Sequence, residues 1–407
     1  MKSNKKKILL LDNGEEWGGG TNSMLELLKR INRENFSITC CFYNNYFRGN
    51  GESLDMALSS LKIPVLFIPK RKKPQWVKII QEFFRIALFF SKNLKIFFIS
   101  YVNMQWKILP NAKKISSLLI LGKYDILYMN NQPSTNIEGY IAAKKLNVAV
   151  VQHCRIQPSL NKKLVKMINE NCDMIIAVSH SVNVILQKHG VDEQRCIVIP
   201  NAIDTHQSLP DRFVVRMNLK ISPKTFIFGT IGSLIARKSH HHILQALGKF
   251  KKINSSSNWK FIIVGTGPER QSLQDIAFRE NLHQHVIFTG FQNNALDYLS
   301  TFDIFILASS KEGLPRVILE AMLVNTSVIG SNVTGTAELI THNVNGLLFE
   351  YGNIAQLTKY LTRLYNNAEL RMKFTRAAGQ HVRKHYVIEN YVSGVESIFF
   401  QVYKQDK

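Results

Sequence analysis

No stretch of this 407-residue sequence reaches the ~18 uninterrupted apolar residues of a membrane-crossing helix, so no transmembrane helix is expected. Cysteine is scarce. Cys40, Cys41, Cys154, Cys172 and Cys196 are odd in number and form no CxxC pair or ligand-like spacing with histidine. That argues against a disulfide scaffold or a zinc site and for a reducing, cytoplasmic compartment. Low-complexity tracts are missing too. Acids are few: 29 Asp and Glu face 52 Lys and Arg, a formal net charge of +23. Such a field favours an anionic partner, whether nucleic acid, an anionic lipid surface or a phosphorylated substrate. No recognisable nucleic-acid module accompanies the charge, so no nucleic-acid partner is expected.

The excess charge is uneven. Between Lys62 and Lys114 stand twelve basic residues, the run Lys70, Arg71, Lys72 and Lys73 among them, against one acid, Glu82. The same segment holds Ile80, Phe83, Phe84, Ala87, Leu88, Leu94 and Phe98 at three- and four-residue steps, one helical stripe over 79–102. Either the stripe is packed into the core, or it lies on an anionic membrane surface with the protein peripheral to the inner face of the cytoplasmic membrane. The N-terminal MKSNKKKILLLDNG is basic and then apolar, but its apolar run of Ile8 to Leu11 is too short for a signal peptide and reads as a first buried strand.

At this length two domains are the default. Short apolar runs alternate with helical patterns: KILLLD (7–12), SITCCFY (37–43), IPVLFI (63–68), DILYM (125–129), VAVVQ (148–152), DMIIAV (173–178) and CIVIP (196–200). The rhythm resumes with FIFGTIGSL, KFIIVG, HVIFTG, DIFILAS, SVIGS and GLLF. Alternation of this kind predicts an α/β chain with parallel sheets flanked by helices. Periodicity lapses over 201–225, around Pro210 and Pro223, which places a boundary there. The expected units are a Rossmann-like domain over 1–205, a second over 222–385, and a C-terminal helix within 386–407 that crosses back to the first.

Three motifs can carry chemistry. In VGTGPER (264–270) Gly265 and Gly267 leave room for a ligand at the end of a strand, although many strand-to-helix turns need glycine for geometry alone. In IGSLIARKSHHH, Arg237 and Lys238 lie between a strand and a helix start, as in a diphosphate site or as a solvated charge pair. The consecutive His240, His241 and His242 point in different directions on a helix and suggest no metal site. In SSKEGLPRVILEAM (309–322) a strand gives way to a turn and a helix, with Glu312 and Glu320 too far apart to share a proton but able to grip two parts of one extended ligand.

These residues resemble a retaining glycosyltransferase of the GT-B fold, family 4 (glycosyl transferases group 1), whose E-x7-E signature is matched by Glu312 and Glu320. The resemblance covers nearly the whole chain. It includes the loop of Gly18, Gly19 and Gly20, IIAVSHSV (175–182), VIPNAID (198–204), GTAELI (335–340) and NGLLF (345–349). It implies two Rossmann-like domains facing across a cleft, no tightly bound cofactor, and a UDP- or GDP-sugar donor. Glu320 would hold the ribose and Glu312 the donor sugar, beside Gly313 and Leu314. Arg237 and Lys238 would neutralise the diphosphate. His153 would stand near the sugar, and Gly18 to Gly20 would line the acceptor side. Two positions depart from the family: Ser233 where arginine is common, and Gly313–Leu314–Pro315 where GFG is usual. With no DxD motif, the basic residues take the place of a metal. The implied acceptor is a glycan or lipid-linked molecule of bacterial surface-polysaccharide or lipopolysaccharide assembly. A sugar-nucleotide epimerase and a non-catalytic, partner-binding subunit are the alternatives, disfavoured by the E-x7-E block and by its intact polar residues.

Overall fold

The computed structural model describes residues 5–12, 17–49, 51–69, 74–144, 146, 148–254 and 258–403. The basic run Lys70, Arg71, Lys72 and Lys73 lies outside them. Among the described residues seven strands form the first sheet: β1 (Lys6–Asp12), β2 (Phe36–Phe42), β3 (Val65–Phe67), β4 (Ile126–Met129), β5 (Ala149–Cys154), β6 (Met174–Ala177) and β7 (Cys196–Val198). Six form the second: β8 (Phe226–Ile231), β9 (Trp259–Val264), β10 (Val286–Gly290), β11 (Ile304–Leu307), β12 (Ser327–Ser331) and β13 (Leu347–Phe349). All these pairings are parallel. The central strands β4 and β11 are buried throughout, as continuous apolar runs covered on both faces should be.

The order in the first sheet is β3-β2-β1-β4-β5-β6-β7, and in the second β10-β9-β8-β11-β12-β13. Each order reverses once, between β1 and β4 and between β8 and β11. In a doubly wound sheet the chains leave that point in opposite directions and open a crevice at the carboxyl ends, where ligands bind. Lys238 and Glu312 lie in segments that follow β8 and β11 at their carboxyl ends, and His153 stands in β5 next to that strand's carboxyl end.

The lapse in periodicity over 201–225 contains a short helix, Arg212–Asn218, capped by Asp211. Arg212 donates to the carbonyls of Ser300 and Phe302, and Arg216 to that of Thr301; both also pair with Asp303. At the far end of the chain, helix Ile388–Val402 packs on the first sheet. Its buried face of Ile388, Tyr391, Val395, Ile398, Phe399 and Val402 joins the core around Ile8, Leu10 and Phe36. The Phe399 ring stands 5.7 Å from Phe36 and 5.1 Å from Tyr128.

The stripe expected over 79–102 is not one helix. It is two, Gln75–Ala87 and Lys92–Asn103, broken at 88–91, where Ser91 accepts from the Leu94 amide and caps the second. The two pair through stacked Phe84 and Phe98 rings 4.6 Å apart and a Gln81–Asn103 hydrogen bond of 3.2 Å. Nor is the stripe core. None of its described residues is fully buried, Phe83 being 63% exposed, and the neighbouring Ile86, Phe89, Phe90 and Phe97 are more than half exposed, Phe89 by 84%. Amphipathic spacing predicts which residues share a face, but not whether the protein covers that face.

Because Phe399 fills the core of a domain from which it is remote in sequence, Phe399→Ala should destabilise the first domain by about 3–5 kcal/mol. Denaturant unfolding followed by fluorescence checks this; a loss under about 1 kcal/mol would mean that the helix is only loosely docked.

Candidate functional site

After β11 come Ser309 and Ser310, and the turn Lys311–Gly313 leads to Pro315 and the helix Arg316–Leu323. Pro315 occupies the cap position, where its missing amide costs the helix nothing. Opposite this turn, β8 gives way to Gly232, and a short 3-10 turn, Ala236–Lys238, carries both cations. The Ser310 amide donates to the Arg237 carbonyl at 2.8 Å, and Arg237 Nη1 donates to the Lys311 carbonyl at 2.9 Å, which fixes one loop against the other.

The product is a buried charge cluster. Lys238 Nζ lies 2.6 Å from Glu312 Oε1, and Arg237 Nη1 lies 3.5 Å from the same oxygen; the Glu312 side chain is 9% exposed. Burial alone would push the Glu312 carboxyl up, but Lys238 and Arg237 overcome it and hold the group below the usual carboxylate range. The sequence-predicted Arg237, Lys238 and Glu312 are therefore brought together.

Glu320 is not part of that cluster. Two turns along the helix, it meets Arg316 at 3.6 Å, and Arg316 also donates to the Ala202 carbonyl at 3.1 Å. Burial raises the Glu320 carboxyl above its ordinary value, Arg316 opposes the rise, and Glu26 of helix Gly19–Arg30 adds to it. The two acids of the signature thus stand in opposite electrostatic settings.

Gly265 and Gly267 have a packing explanation. Both adopt positive φ, 142° and 156°, and a Cβ on either would collide with the backbone of Gly232 or Leu234. Gly313 is as tightly placed: a Cβ there would strike the Arg155 carbonyl, and one on Gly335 would strike the Gly313 carbonyl. The turn of Gly313 and Leu314 is thereby held against the end of β5, and Asn201 Nδ2 donates to the Leu314 carbonyl at 2.9 Å. Gly18 and Gly19 differ. They open helix Gly19–Arg30 with free space around them, and Gly20 touches the Arg155 side chain.

His153 is fully buried at the end of β5, with Nδ1 2.6 Å from Tyr128 Oη. His240 is buried against the Ser233 carbonyl, and burial pushes its imidazole down to about 4. Among the described residues no group of three or more His, Cys, Asp and Glu could hold a metal ion.

Several residues at this junction escaped the sequence reading: Tyr128, Asn130, Arg155, Arg316 and Glu338. Glu338 reaches across to the first domain, accepting from the amides of His180 and Ser181 at 2.9 and 3.0 Å and so capping helix His180–Lys188. It lies inside the GTAELI run and Asn201 inside VIPNAID, so local motifs did mark their neighbourhoods.

Two family models match the chain, "Glycosyltransferase Family 4" over residues 17–207 and "Glycosyl transferases group 1" over 211–381. Among characterised relatives, the N-acetyl-alpha-D-glucosaminyl L-malate synthase of Bacillus anthracis is 29% identical over 315 residues, covering 73% of this chain and 80% of that one. The UDP-Gal:alpha-D-GlcNAc-diphosphoundecaprenol alpha-1,3-galactosyltransferase of Escherichia coli is 25% identical over 308 residues, covering 69% and 78%. In fold the chain matches Anabaena HepE, solved with UDP and glucose, at a TM-score of 0.77 and 20% identity over 97% of this chain and 100% of that one. A Rickettsia africae glycosyltransferase gives 0.77 at 17% identity, covering 99% of this chain and 100% of that one.

The charge cluster makes its own prediction. Lys238→Met leaves Glu312 buried without its nearest cation and should cost about 3–5 kcal/mol at pH 7, whereas Lys238→Met with Glu312→Gln should cost less. Since Glu312 is held below its ordinary range, the pair's stabilisation is present above that range and lost as pH falls through the lowered value. The gap between Lys238→Met and wild type should accordingly close in acid. A urea-unfolding series at several pH values tests this; a gap independent of pH would refute the assigned coupling.

Proposed function

Because the chain belongs to the family 4 glycosyltransferases of GT-B fold, which are nucleotide-sugar-dependent transferases, we propose that it moves a sugar from a UDP- or GDP-sugar, with retention of configuration, to a glycan or lipid-linked acceptor. The setting we infer is bacterial surface-polysaccharide or lipopolysaccharide assembly, in line with the undecaprenol-linked substrate named for the Escherichia coli relative. The UDP in HepE favours a uridine donor.

The observation that carries the reading is the Arg237–Lys238–Glu312 cluster at the carboxyl end of β11. Loss of a nucleoside diphosphate from a sugar concentrates negative charge on the leaving phosphate. Two cations fixed by Glu312 and by the Lys311 carbonyl would stabilise that charge without reorganising at the moment of reaction. Glu312 holds the Lys238 ammonium at 2.6 Å, and its carboxylate would also meet sugar hydroxyls. Glu320 would hold the ribose. Gly265, Gly267, Gly313 and Leu314 would let the donor approach the backbone, and His153 and Gly18 to Gly20 would face sugar and acceptor. The domain division at 205 and 222, with a C-terminal helix beyond 385, is part of this reading, supported by the separate matches of the two family models.

Peripheral attachment to an anionic membrane belongs to it as well. No helix among the described residues is long and apolar enough to cross a bilayer. The hairpin of Gln75–Ala87 and Lys92–Asn103 presents uncovered phenylalanines at its tip in the most basic segment of the chain, a combination suited to the boundary of an anionic leaflet.

Two experiments test the reading. Thermal stabilisation by UDP, GDP and their sugars should first identify the donor nucleotide. Glu320→Ala should then weaken binding of that free nucleotide by about 1.5–3 kcal/mol, whereas Glu312→Ala should impair turnover and leave the free nucleotide nearly unaffected. Equal calorimetric losses for the two variants would overturn the division of roles. For the membrane, co-sedimentation should show binding to anionic vesicles that Phe89→Ser with Phe90→Ser lowers by about tenfold or more, with nucleotide affinity unchanged. Equal partition of wild type and variant would remove the hairpin from the membrane contact.

A further inference from the structure

Tyr128 on β4 and His153 on β5 are neighbours in the sheet, both fully buried, and Tyr128 Oη lies 2.6 Å from His153 Nδ1. Such a contact fits either of two neutral histidine tautomers, because a hydroxyl can donate or accept. Arg155 removes the ambiguity. Its Nη2 lies 3.4 Å from the same Tyr128 oxygen, and a guanidinium has donors only. The Tyr128 oxygen therefore accepts from Arg155, and its own proton needs another acceptor. Among the described residues His153 Nδ1 is the acceptor within hydrogen-bond reach of that hydroxyl. If Nδ1 carried the proton instead, the buried Tyr128 hydroxyl would have nowhere to donate, which is costly.

Arg155 is itself locked in place. Its Nε donates to Asn130 Oδ1 at 2.7 Å, Nη1 to Asn201 Oδ1 at 3.1 Å and Nη2 to Tyr391 Oη at 2.8 Å. Tyr391 passes its own proton to the Ser23 carbonyl at 3.3 Å, and Asn130 Nδ2 donates to Asp12 Oδ2 at 2.6 Å. Every polarity in the network is thus set from one end, by a group that cannot accept. At the other end, His153 Nε2 is buried and makes no hydrogen bond among the described residues. Burial, with Arg155 adding to it, holds the imidazole well below its ordinary value, so the ring is neutral.

We propose that Arg155 and Tyr128 form a one-way hydrogen-bond relay that fixes His153 as its Nε2–H tautomer, making His153 a hydrogen-bond donor to the sugar substrate and not a base. The proposal rests on the reading of His153 as a residue of the transfer site. Tyr128 and Arg155 are positioning residues: they touch no substrate, and they decide which face of the imidazole chemistry a substrate meets. A donor suits a sugar hydroxyl or ring oxygen, and it takes no proton from the acceptor hydroxyl.

The test uses the full chain labelled with nitrogen-15 histidine. Long-range proton–nitrogen correlation at pH 7 distinguishes the two neutral tautomers and the imidazolium, and the His153 signals among the 12 histidines are those absent from His153→Gln. The relay predicts the Nε2–H pattern in the wild type; an Nδ1–H pattern or an imidazolium overturns it. Tyr128→Phe keeps the ring and removes the hydroxyl. It should populate the second tautomer and lower kcat by about tenfold, while KM for the nucleotide-sugar changes less than about twofold. An unchanged tautomer in that variant overturns the relay. Arg155→Lys, which keeps a donor and a charge, should retain more of the Nε2–H form than Tyr128→Phe, and each variant is also read against the wild type, so that one folded variant suffices to test the relay. Should the wild type show the Nε2–H form while His153→Gln turns over normally, the substrate-donor role falls, and with it the reading of His153 as a site residue, but not the relay geometry.

Discussion

The close approach of two backbones, that of Arg155 and Ile156 after β5 and that of Gly313 after β11, is the constraint on which the rest depends. No side chain fits between them, and Gly335 closes on the same turn from its other side. This contact puts the carboxyl end of one parallel sheet against the carboxyl end of the other. It leaves Glu312 at the seam, with its carboxylate turned to Lys238 of its own domain, and it places Arg155 where strand, linker and C-terminal helix can all reach it. A β-carbon at position 313 would therefore do more than strain a turn, because it would separate the two halves of the site.

The two acids of one motif illustrate how position along a helix sets chemistry. Glu312 lies before the helix, in reach of two cations that outweigh its burial, and is held ionised. Glu320 lies two turns inside, next to one cation and within the field of Glu26, and is pushed the other way. A polar partner such as a ribose hydroxyl pair suits a carboxylate of this second kind, since hydroxyl donors would relieve its desolvation without demanding a further charge. A departing diphosphate suits the first setting, where cations already outnumber acids.

Much of this was legible in the sequence. All thirteen strands correspond to apolar runs flanked by turn residues, because buried parallel strands must be apolar on both faces and the turns between them need Gly, Pro, Asn or Asp. Glu312, Lys238 and Arg237 were legible through spacing against strand ends. Tyr128 and Arg155 were not, because their role comes from parallel pairing of β4 with β5 and from a helix that starts at Ile388, more than two hundred positions away. Periodicity reads one element at a time, whereas a hydrogen-bond relay is written across several. The hairpin failed for a related reason. Its stripe was visible, yet the break at Ser91 and the lack of a covering element are tertiary facts.

A chain with so few acids spends several of them where domains and linkers meet. Glu338 caps a helix of the opposite domain, Asp204 of the linker pairs with Arg30 at 2.8 Å, Asp303 gathers Arg212 and Arg216, and Glu26 and Glu320 share the vicinity of Arg316. Each acid placed at a junction is one fewer to balance cations elsewhere, so the segment from Lys62 to Lys114 keeps its twelve basic residues against a single Glu82. The same scarcity thus has two consequences. The seam between the domains carries paired charges and hydrogen bonds beside an apolar cluster that includes residues of both halves, Ala177 and Ile203 among them from the first and Leu314 and Ile318 from the second. The first domain meanwhile carries a positive field around an uncovered aromatic hairpin.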